Sequence, residues 1–524
     1  MLAQSMATEV AAARSLTLGD TLRRTAARYP AKVALIDGDT SLTYEEFNTR
    51  VNQLANALTQ RGIVKGDRVT MLSKNCWQFL VASYATAKIG AIFTPINFML
   101  KVDEVSYLLE DSRPAACIAQ TGFTETMQQA LGQSGIAPAV RIEITVGQAA
   151  SPEWQPFDVF STAASSAEPT VMIADDDALR LMYTSGTESK PKGLLHSSRS
   201  LIAEYVSSII DGGMSHDDID LHSLPFYHCA QLDCFIGPDV YLGATSIILP
   251  GPDPARVLAT IERYKVTKYF APPTVWIALL NSQSFATADL SSMKKGYYGA
   301  SPMPVEVLKK LLAELPDLDF WNFYGQTELA PVATILPPHE QVSHAGSAGR
   351  PVLNVETAIM AEDGTILPRG EVGEIVHRGP QIALGYWNRD ELTAEAFKYG
   401  WFHSGDLGVF DAEGRLTVVD RVKDMIKTGG ENVASREVEE TLYAHPAVAE
   451  VAVFATPHEK WIETVAAAVV VREGHEVTGE ELQAFARERL ATYKVPTVVR
   501  FYEALPKNPS GKIMKRDLRE AFAK

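Results

Sequence analysis

The chain has 524 residues, 46% of them hydrophobic and 21% charged. At about 150 residues per domain, that is ample apolar material for several buried cores and excludes general disorder. Lys and Arg number 48 against 64 Asp and Glu, a formal charge of −16, which argues against a coat for nucleic acid or an anionic membrane, since both need a positive field.

Four cysteines (Cys76, Cys117, Cys229, Cys234) with no CxxC pair predict neither a disulfide framework nor cysteine-held zinc. Their sparse use points to a reducing compartment, the cytoplasm. No run approaches roughly 18 uninterrupted apolar residues, so no transmembrane segment is expected. The N-terminus lacks the apolar centre of a secretory signal.

Residues 1–16 read as a flexible tail. Leu18, Leu22 and Ala26 fall at helical spacing, and Tyr29-Pro30 stops that helix. Residues 32–36 and 41–44, around Asp37-Gly38-Asp39, predict a hairpin. Thr43 is placed to cap the next helix, with Glu46 completing a capping box. Short apolar strands at 69–72, 91–94 and 115–119 alternate with a helix from Trp77 to Lys88 and predict an α/β fold with a largely parallel sheet. Residues 138–169 read as an irregular connection around one strand, 141–146. The α/β rhythm resumes at 178–183, 246–249, 269–270 and 296–299. From about Gly346 to 420, alternating strands and Gly-containing turns predict a β-rich subdomain. After it a small α+β unit is expected, with helices at 435–444 and 478–489 and strands at 448–454 and 465–471.

Five segments carry candidate chemistry. In Tyr183-Thr-Ser-Gly-Thr-Glu-Ser-Lys-Pro-Lys-Gly193, small hydroxyl residues and glycine let backbone N–H groups wrap a phosphate, with Lys190 and Lys192 adding charge; the alternative is a plain surface turn. It is neither a Walker A loop nor GxGxxG. In Phe323-Tyr-Gly-Gln-Thr-Glu328, a ring beside a Thr-Glu pair suits a base, a phosphate and a metal; the alternative is a capped helix entry. Asp406, in Trp401-Phe-His-Ser-Gly-Asp406, suits paired contact with ribose hydroxyls, or is an ordinary turn residue. Residues 420–430 read as a charged, glycine-ended connector, either hinge or solvated linker. Pro506-Lys-Asn-Pro-Ser-Gly-Lys512 presents one lysine on a tight turn.

Taken in this order, the segments resemble the adenylate-forming superfamily: acyl-CoA synthetases, beetle luciferases and the adenylation domains of peptide synthetases. The resemblance runs from about Leu18 to Lys515. It implies a large N-terminal domain of two α/β subdomains plus a β-barrel subdomain (17–420, with the β-rich part at about 346–420) and a small mobile C-terminal α+β lid domain (421–524). It also implies two half-reactions. A carboxylate attacks the α-phosphate of ATP to give acyl-AMP and pyrophosphate, and coenzyme A then displaces AMP.

By resemblance, Thr184, Ser185, Gly186, Thr187 and Lys192 belong to the loop over the β- and γ-phosphates. Glu188-Ser189 stands where the family commonly has Thr-Gly. Tyr324, with Gly325 beside it, stacks on adenine, opposite Gly299, Ala300 and Ser301. Thr327 bonds the α-phosphate and Glu328 ligates Mg²⁺. Asp406 and Arg421 hold the ribose, and Lys512 bridges carboxylate and α-phosphate during adenylation. Lys423 falls at the hinge. Rotation there exchanges Lys512 for a coenzyme A face that includes Gly429, Gly430, Glu431 and Trp461.

His228 sits at the tip of the segment that gates the acyl pocket, whose walls are expected from Tyr205, Cys229, Tyr298, Gly299 and Phe323. Such a pocket suits a medium-chain fatty acid or an aryl acid. Acetate is disfavoured because no Trp stands at the gate. An amino acid is disfavoured because Phe226-Tyr-His-Cys229 replaces the aspartate-bearing segment of peptide synthetases. The expected activity is an AMP-forming acid–thiol ligase using ATP, Mg²⁺ and coenzyme A, with no nucleic-acid partner; the sequence is compatible with a homodimer. The alternatives are an amide synthetase with an amine acceptor and a non-catalytic acyl or nucleotide sensor.

Overall fold

The computed structural model describes residues 9–10, 13–145, 152–184, 190–301, 303–428, 431–458, 461–507 and 513–522. Among the described residues the chain forms four sheets. The largest has nine strands, in the order Arg350–Pro351, Val332–Leu336, Asp319–Gly325, Lys295–Gly299, Lys268–Phe270, Ile219–His222, Thr245–Ile248, Val33–Asp37 and Thr40–Thr43. The second has eight, from Gly385–Tyr386 through Lys192–Ser197, Ala178–Thr184, Ile92–Ile96, Arg68–Leu72, Ala116–Gln120 and Val140–Ile144 to Gln155–Pro156.

Both sheets are largely parallel, as expected, with antiparallel pairs at both ends of the nine-stranded sheet and at one end of the eight-stranded sheet. Two of the motif segments stand at such antiparallel pairs. Each follows a strand that is met by an antiparallel partner rather than by a crossover helix: Tyr183 pairs with Gly193, and Tyr324 with Thr334.

Helix Trp77–Ile89 is buried from Phe79 to Ile89, as an all-round apolar sequence requires. It packs on helices Leu18–Arg28 and Tyr44–Gln60. The latter starts with the anticipated capping box, Thr43 Oγ1 accepting from Glu46 N at 3.2 Å and Glu46 Oε2 accepting from Thr43 N at 2.8 Å. Among the described residues no helix is long and apolar enough to cross a membrane. All four cysteines are unbridged and buried.

The β-rich segment is a four-stranded sheet of Glu356–Met360, Gly373–Arg378, Phe402–Phe410 and Leu416–Arg421. The smaller C-terminal domain is built on the hairpin Val448–His458 and Ile462–Val471, covered by helices Ser435–Tyr443 and Gly479–Arg487. Its first helix is tied to the large domain. Arg436 donates to the carbonyls of Val418 (2.7 Å) and Gly346 (3.1 Å), and Asp420 accepts from the backbone N of Ser435.

Candidate active site

A cavity of about 1690 Å³ lies between the ends of the two large sheets and the C-terminal domain. It is lined by Thr184, Lys192, His228, Cys229, Tyr298, Gly299, Ala300, Ser301, Phe323, Tyr324, Gly325, Thr327, Glu328, Asp406, Arg421 and Lys423. Segments far apart in sequence meet there because each motif follows, or stands in, a strand that ends on this side.

The first group is polar. Strands Phe402–Phe410 and Leu416–Arg421 place Asp406 directly opposite Arg421, with Arg421 Nε 3.3 Å from Asp406 Oδ1. Tyr324 Oη donates to Asp406 Oδ2 at 2.7 Å, and Gln326 Nε2 donates to the same oxygen at 2.9 Å. Gln326 had no assigned role, although it stands inside the Tyr324–Glu328 motif.

Gly299 and Phe323 are register partners on adjacent strands. A Cβ at Gly299 would lie 2.4 Å from the Phe323 carbonyl oxygen, and one at Gly325 would lie 1.9 Å from that of Pro331. Side chains at either position would push paired backbone apart. Ala300 follows with φ of 63°, a left-handed conformation that costs a residue with a Cβ.

Thr327 and Glu328 form a single helical turn, Thr327–Leu329. The Cys229 thiol donates to Thr327 Oγ1 at 3.5 Å, which joins the polar group to the acyl side. Burial raises the Glu328 carboxyl above the ordinary range, opposed by a hydrogen bond from Tyr386 Oη at 3.0 Å and by the charge of Arg421. The glutamate carboxylate and threonine hydroxyl are hard oxygen donors of the kind Mg²⁺ takes, so this pair fits that ion.

The acyl side begins at His228. Its Nδ1 accepts from Ala230 N at 3.1 Å and caps the short helix Cys229–Gln231, which runs into a π-helical turn, Leu232–Ile236. Insertions of this kind are often found at functional sites. The turn brings Cys234 and Phe235 to the cavity. Phe235 stacks on Phe270 (centroids 4.4 Å apart) and on Phe323 (5.6 Å). Desolvation pushes the Cys229 thiol up to about 12.

Tyr205 is a correction. It does not line the cavity; its ring is buried beneath Gly237, where a Cβ would come within 2.2 Å of the ring. Helix Ser198–Asp211 turns that position into the core. Two polar residues of the acyl segment also point inward. Asp233 pairs with the buried Arg180. Gln231 bonds His222 Nδ1 at 2.7 Å and accepts from Leu224 N at 3.2 Å. His222, Asp220 and Asp239 cluster tightly enough to hold a metal ion, yet the Lys268 ammonium sits among them, 3.1 Å from Asp220 and paired with Asp239. It supplies the positive charge there.

Sequence reasoning also missed two supports. Asn75 donates to the carbonyls of Leu224 (2.8 Å) and Leu249 (3.0 Å) and accepts from Phe226 N (2.9 Å), which fixes the chain leading to His228. Asp111 accepts from Tyr183 Oη at 2.8 Å and pairs with Arg389 at 2.8 Å, bracing the strand before the phosphate-loop segment.

Ser185, Gly186, Thr187, Glu188 and Ser189, together with Gly429, Gly430 and Lys512, lie outside the described residues. Ile513 and Met514, which follow Lys512 in sequence, line the cavity. Glu431 and Trp461 are exposed and are not among the residues lining it; Trp461 stacks on His458 with centroids 4.5 Å apart.

Residues 22–387 match the family of AMP-binding enzymes, and residues 437–512 match the AMP-binding enzyme C-terminal domain. The chain belongs to the AMP-binding, adenylate-forming enzymes. It is 36% identical over 509 residues to a feruloyl-CoA synthase of Amycolatopsis sp., covering 97% of this chain and 100% of that protein. It is 36% identical over 517 residues to the long-chain-fatty-acid–CoA ligase FadD13 of Mycobacterium tuberculosis, covering 97% and 98%. Among solved structures it resembles the anthranilate CoA ligase AuaEII in complex with anthranoyl-AMP, with a TM-score of 0.90 and 26% identity, 97% of each chain being covered. The AMP-binding enzyme presents its cavity between the two matched regions.

Proposed function

We propose that this AMP-binding enzyme is an ATP-dependent acid–thiol ligase that joins an aryl or medium-chain carboxylic acid to coenzyme A through an acyl-AMP, with the aryl acid as the better substrate. The observation that carries the reading is the continuity of the cavity, from Asp406 and Arg421 past Thr327 and Glu328 to the stacked rings of Phe235, Phe270 and Phe323. A flat, rigid wall of aromatic rings favours a planar acyl group, because stacking adds to area burial. The named activities of the feruloyl, fatty-acid and anthranilate relatives support the same class.

In the first step an acid oxygen bonds to the α-phosphorus of ATP and the bond to the β-phosphate oxygen breaks, releasing pyrophosphate. The acid is already ionised at neutral pH, so no general base is needed. Thr327 donates to the α-phosphate. Lys512 neutralises the charge that builds as carboxylate and phosphate approach. Tyr324 and the Gly299–Ser301 turn hold adenine, while Asp406 and Arg421 hold the ribose. Thr184, Ser185, Gly186, Thr187 and Lys192 contact the outer phosphates. Mg²⁺ held by Glu328 offsets phosphate charge when bound.

In the second step the coenzyme A sulfur bonds to the acyl carbon and the acyl–oxygen bond to AMP breaks. The chain divides functionally at residues 420–421, with Lys423 in the hinge. In the orientation described, Ile513, Met514, Lys515, Arg516 and Arg519 face the cavity. The second step uses a rotated orientation in which Gly429, Gly430, Glu431 and Trp461 line the thiol's path. His228 guards the acyl entrance.

The test is pyrophosphate release across benzoates, cinnamates and fatty acids of graded length, with and without coenzyme A. The expected result is release with aryl acids, and acyl-CoA plus AMP only when the thiol is present. Release that coenzyme A does not accelerate, with product formed from an added amine, would overturn the thiol assignment.

A further inference from the structure

Glu328, the residue whose carboxylate fits Mg²⁺, is gripped from one short segment of the chain. Ala383 N donates to the Glu328 backbone carbonyl at 2.9 Å, and Tyr386 Oη donates to its carboxylate at Oε1, at 3.0 Å. Tyr386 lines the cavity together with Glu328.

The same segment also grips the hairpin that carries the phosphate-loop motif. Strand Gly385–Tyr386 runs antiparallel to Lys192–Ser197, with Tyr386 opposite Leu194. Leu384 N donates to the Leu195 carbonyl at 2.8 Å, and Trp387 N donates to that of Gly193 at 2.9 Å. Tyr386 N donates to Thr393 Oγ1 at 3.0 Å, which ties the residue to helix Asp390–Ala396 as well. The phenol therefore reaches Glu328 from backbone that is held on both flanks.

A fixed donor at this point has a chemical use. A carboxylate offers about four lone-pair positions on its two oxygens. The phenol, protonated at neutral pH, takes one position on Oε1 and leaves the others at a set angle. Mg²⁺ demands near-ideal octahedral geometry and takes few protein ligands, so the angle of a single carboxylate matters. Phenylalanine would fill the same space as the ring, so packing alone does not call for the hydroxyl.

We propose that Tyr386 is a positioning residue for the metal: its hydroxyl holds the Glu328 carboxylate at the angle that binds Mg²⁺, from a strand locked to the phosphate-loop hairpin. The inference rests on the assignment of Mg²⁺ to Glu328 in the ligase reading above and adds the residue that aims it. Partners behind a metal ligand are typically worth about ten- to a hundredfold in metal affinity.

The experiment measures binding rather than turnover. Calorimetry on the full-length protein gives the affinity for α,β-methylene-ATP, which cannot be cleaved between the α- and β-phosphates, in Mg²⁺ and in chelator. The ratio of the two affinities is the gain due to the metal. Tyr386→Phe should lose about tenfold or more of that gain, with affinity for AMP, which lacks the outer phosphates, unchanged. Glu328→Gln should lose at least as much, and Tyr386→Phe added to it should change nothing further, because the two residues act as one unit. An intact gain in Tyr386→Phe, or an equal loss of AMP affinity, means that the phenol serves only packing and overturns the proposal. A further loss in the double variant overturns it too, since the phenol then acts elsewhere. The wild-type gain persisting in Glu328→Gln would sink the metal assignment together with this inference. A gain lost in Glu328→Gln but intact in Tyr386→Phe would sink this inference alone.

Discussion

Tyr324 and Asp406 are joined by a 2.7 Å hydrogen bond from phenol to carboxylate. The residue expected to stack on adenine thus also orients the residue expected to hold the ribose. Burial, followed by the neighbouring Asp406 charge, holds the Tyr324 hydroxyl well above its ordinary pKa, so it remains a donor at any working pH.

Tyr324→Phe keeps the ring and removes that donor. Asp406 retains Gln326 and Arg421, so the fold should be unaffected. Losing one hydrogen bond to a charged group is worth about 1.5 kcal/mol. KM for ATP should therefore rise roughly tenfold, with KM for the acid unchanged. Initial rates of pyrophosphate release at varied ATP check this. An unchanged KM for ATP would remove Tyr324 Oη from nucleotide binding.

Glu328 gives a pH-dependent prediction. Its carboxyl is buried and raised, so folding favours the protonated form. Its contribution to stability is present below the ordinary carboxylate range and is lost as pH rises through the raised value. Glutamine carries no charge at any pH. In the absence of divalent ions, Glu328→Gln should melt roughly 1–3 °C above wild type at pH 8 and at the same temperature in acid. Adenylation should fall by about a hundredfold, as for other lost transition-state contacts. Melting curves in chelator at pH 4 and pH 8 provide the first test.

Much of the site was legible because the motif segments are local: each is a strand end followed by a turn, and side-chain chemistry announces it. Thr43 and Glu46 were equally local, a cap visible three residues apart. What stayed hidden depends on tertiary direction. Tyr205 and Glu204 are adjacent on one helix, yet the first packs under Gly237 and the second stands behind the cavity thiols. The helical period does not say which neighbour each will meet. Asn75 is some 150 residues from the Leu224–Phe226 backbone it anchors, and no short-range pattern reports such a bond. The hairpin of Val33–Asp37 and Thr40–Thr43 was visible, but the antiparallel pairing at Tyr183 and at Tyr324 was not, since the rhythm of alternating strands and helices does not show a strand pairing backward.

Lys512 should separate the two half-reactions. Lys512→Ala removes the one cation expected between carboxylate and α-phosphate, so acyl-AMP formation should fall by at least a hundredfold. Thioester formation from supplied acyl-AMP should change less than threefold. Rapid-quench measurement of each half-reaction decides it, and unchanged pyrophosphate release would refute the assigned role.

Lys423→Pro should give the opposite pattern. Proline fixes φ near −65°, and a connector that must turn loses that freedom. Adenylation should survive within a fewfold, while the conversion of bound acyl-AMP to acyl-CoA should slow by at least tenfold. Equal loss of both half-reactions would count against a hinge at this position.

Arg436 tests the coupling between domain orientation and chemistry from the other side. Its guanidinium reaches two backbone carbonyls of the large domain, at Val418 and Gly346, while its Nε pairs with Glu440 on its own helix. The carbonyl contacts belong to the orientation in which Ile513, Met514, Lys515, Arg516 and Arg519 face the cavity. Arg436→Ala removes both and leaves the carbonyls open to water, so this orientation loses about 1–3 kcal/mol relative to any other. The small domain's own core, around Val438, Leu442 and Val453, does not include Arg436, so the domain should stay folded. Adenylation should slow roughly tenfold, because the adenylating orientation is less populated. Thioester formation from supplied acyl-AMP should be unchanged or faster. A variant in which both half-reactions slow together would mean that Arg436 supports the fold rather than the balance between orientations.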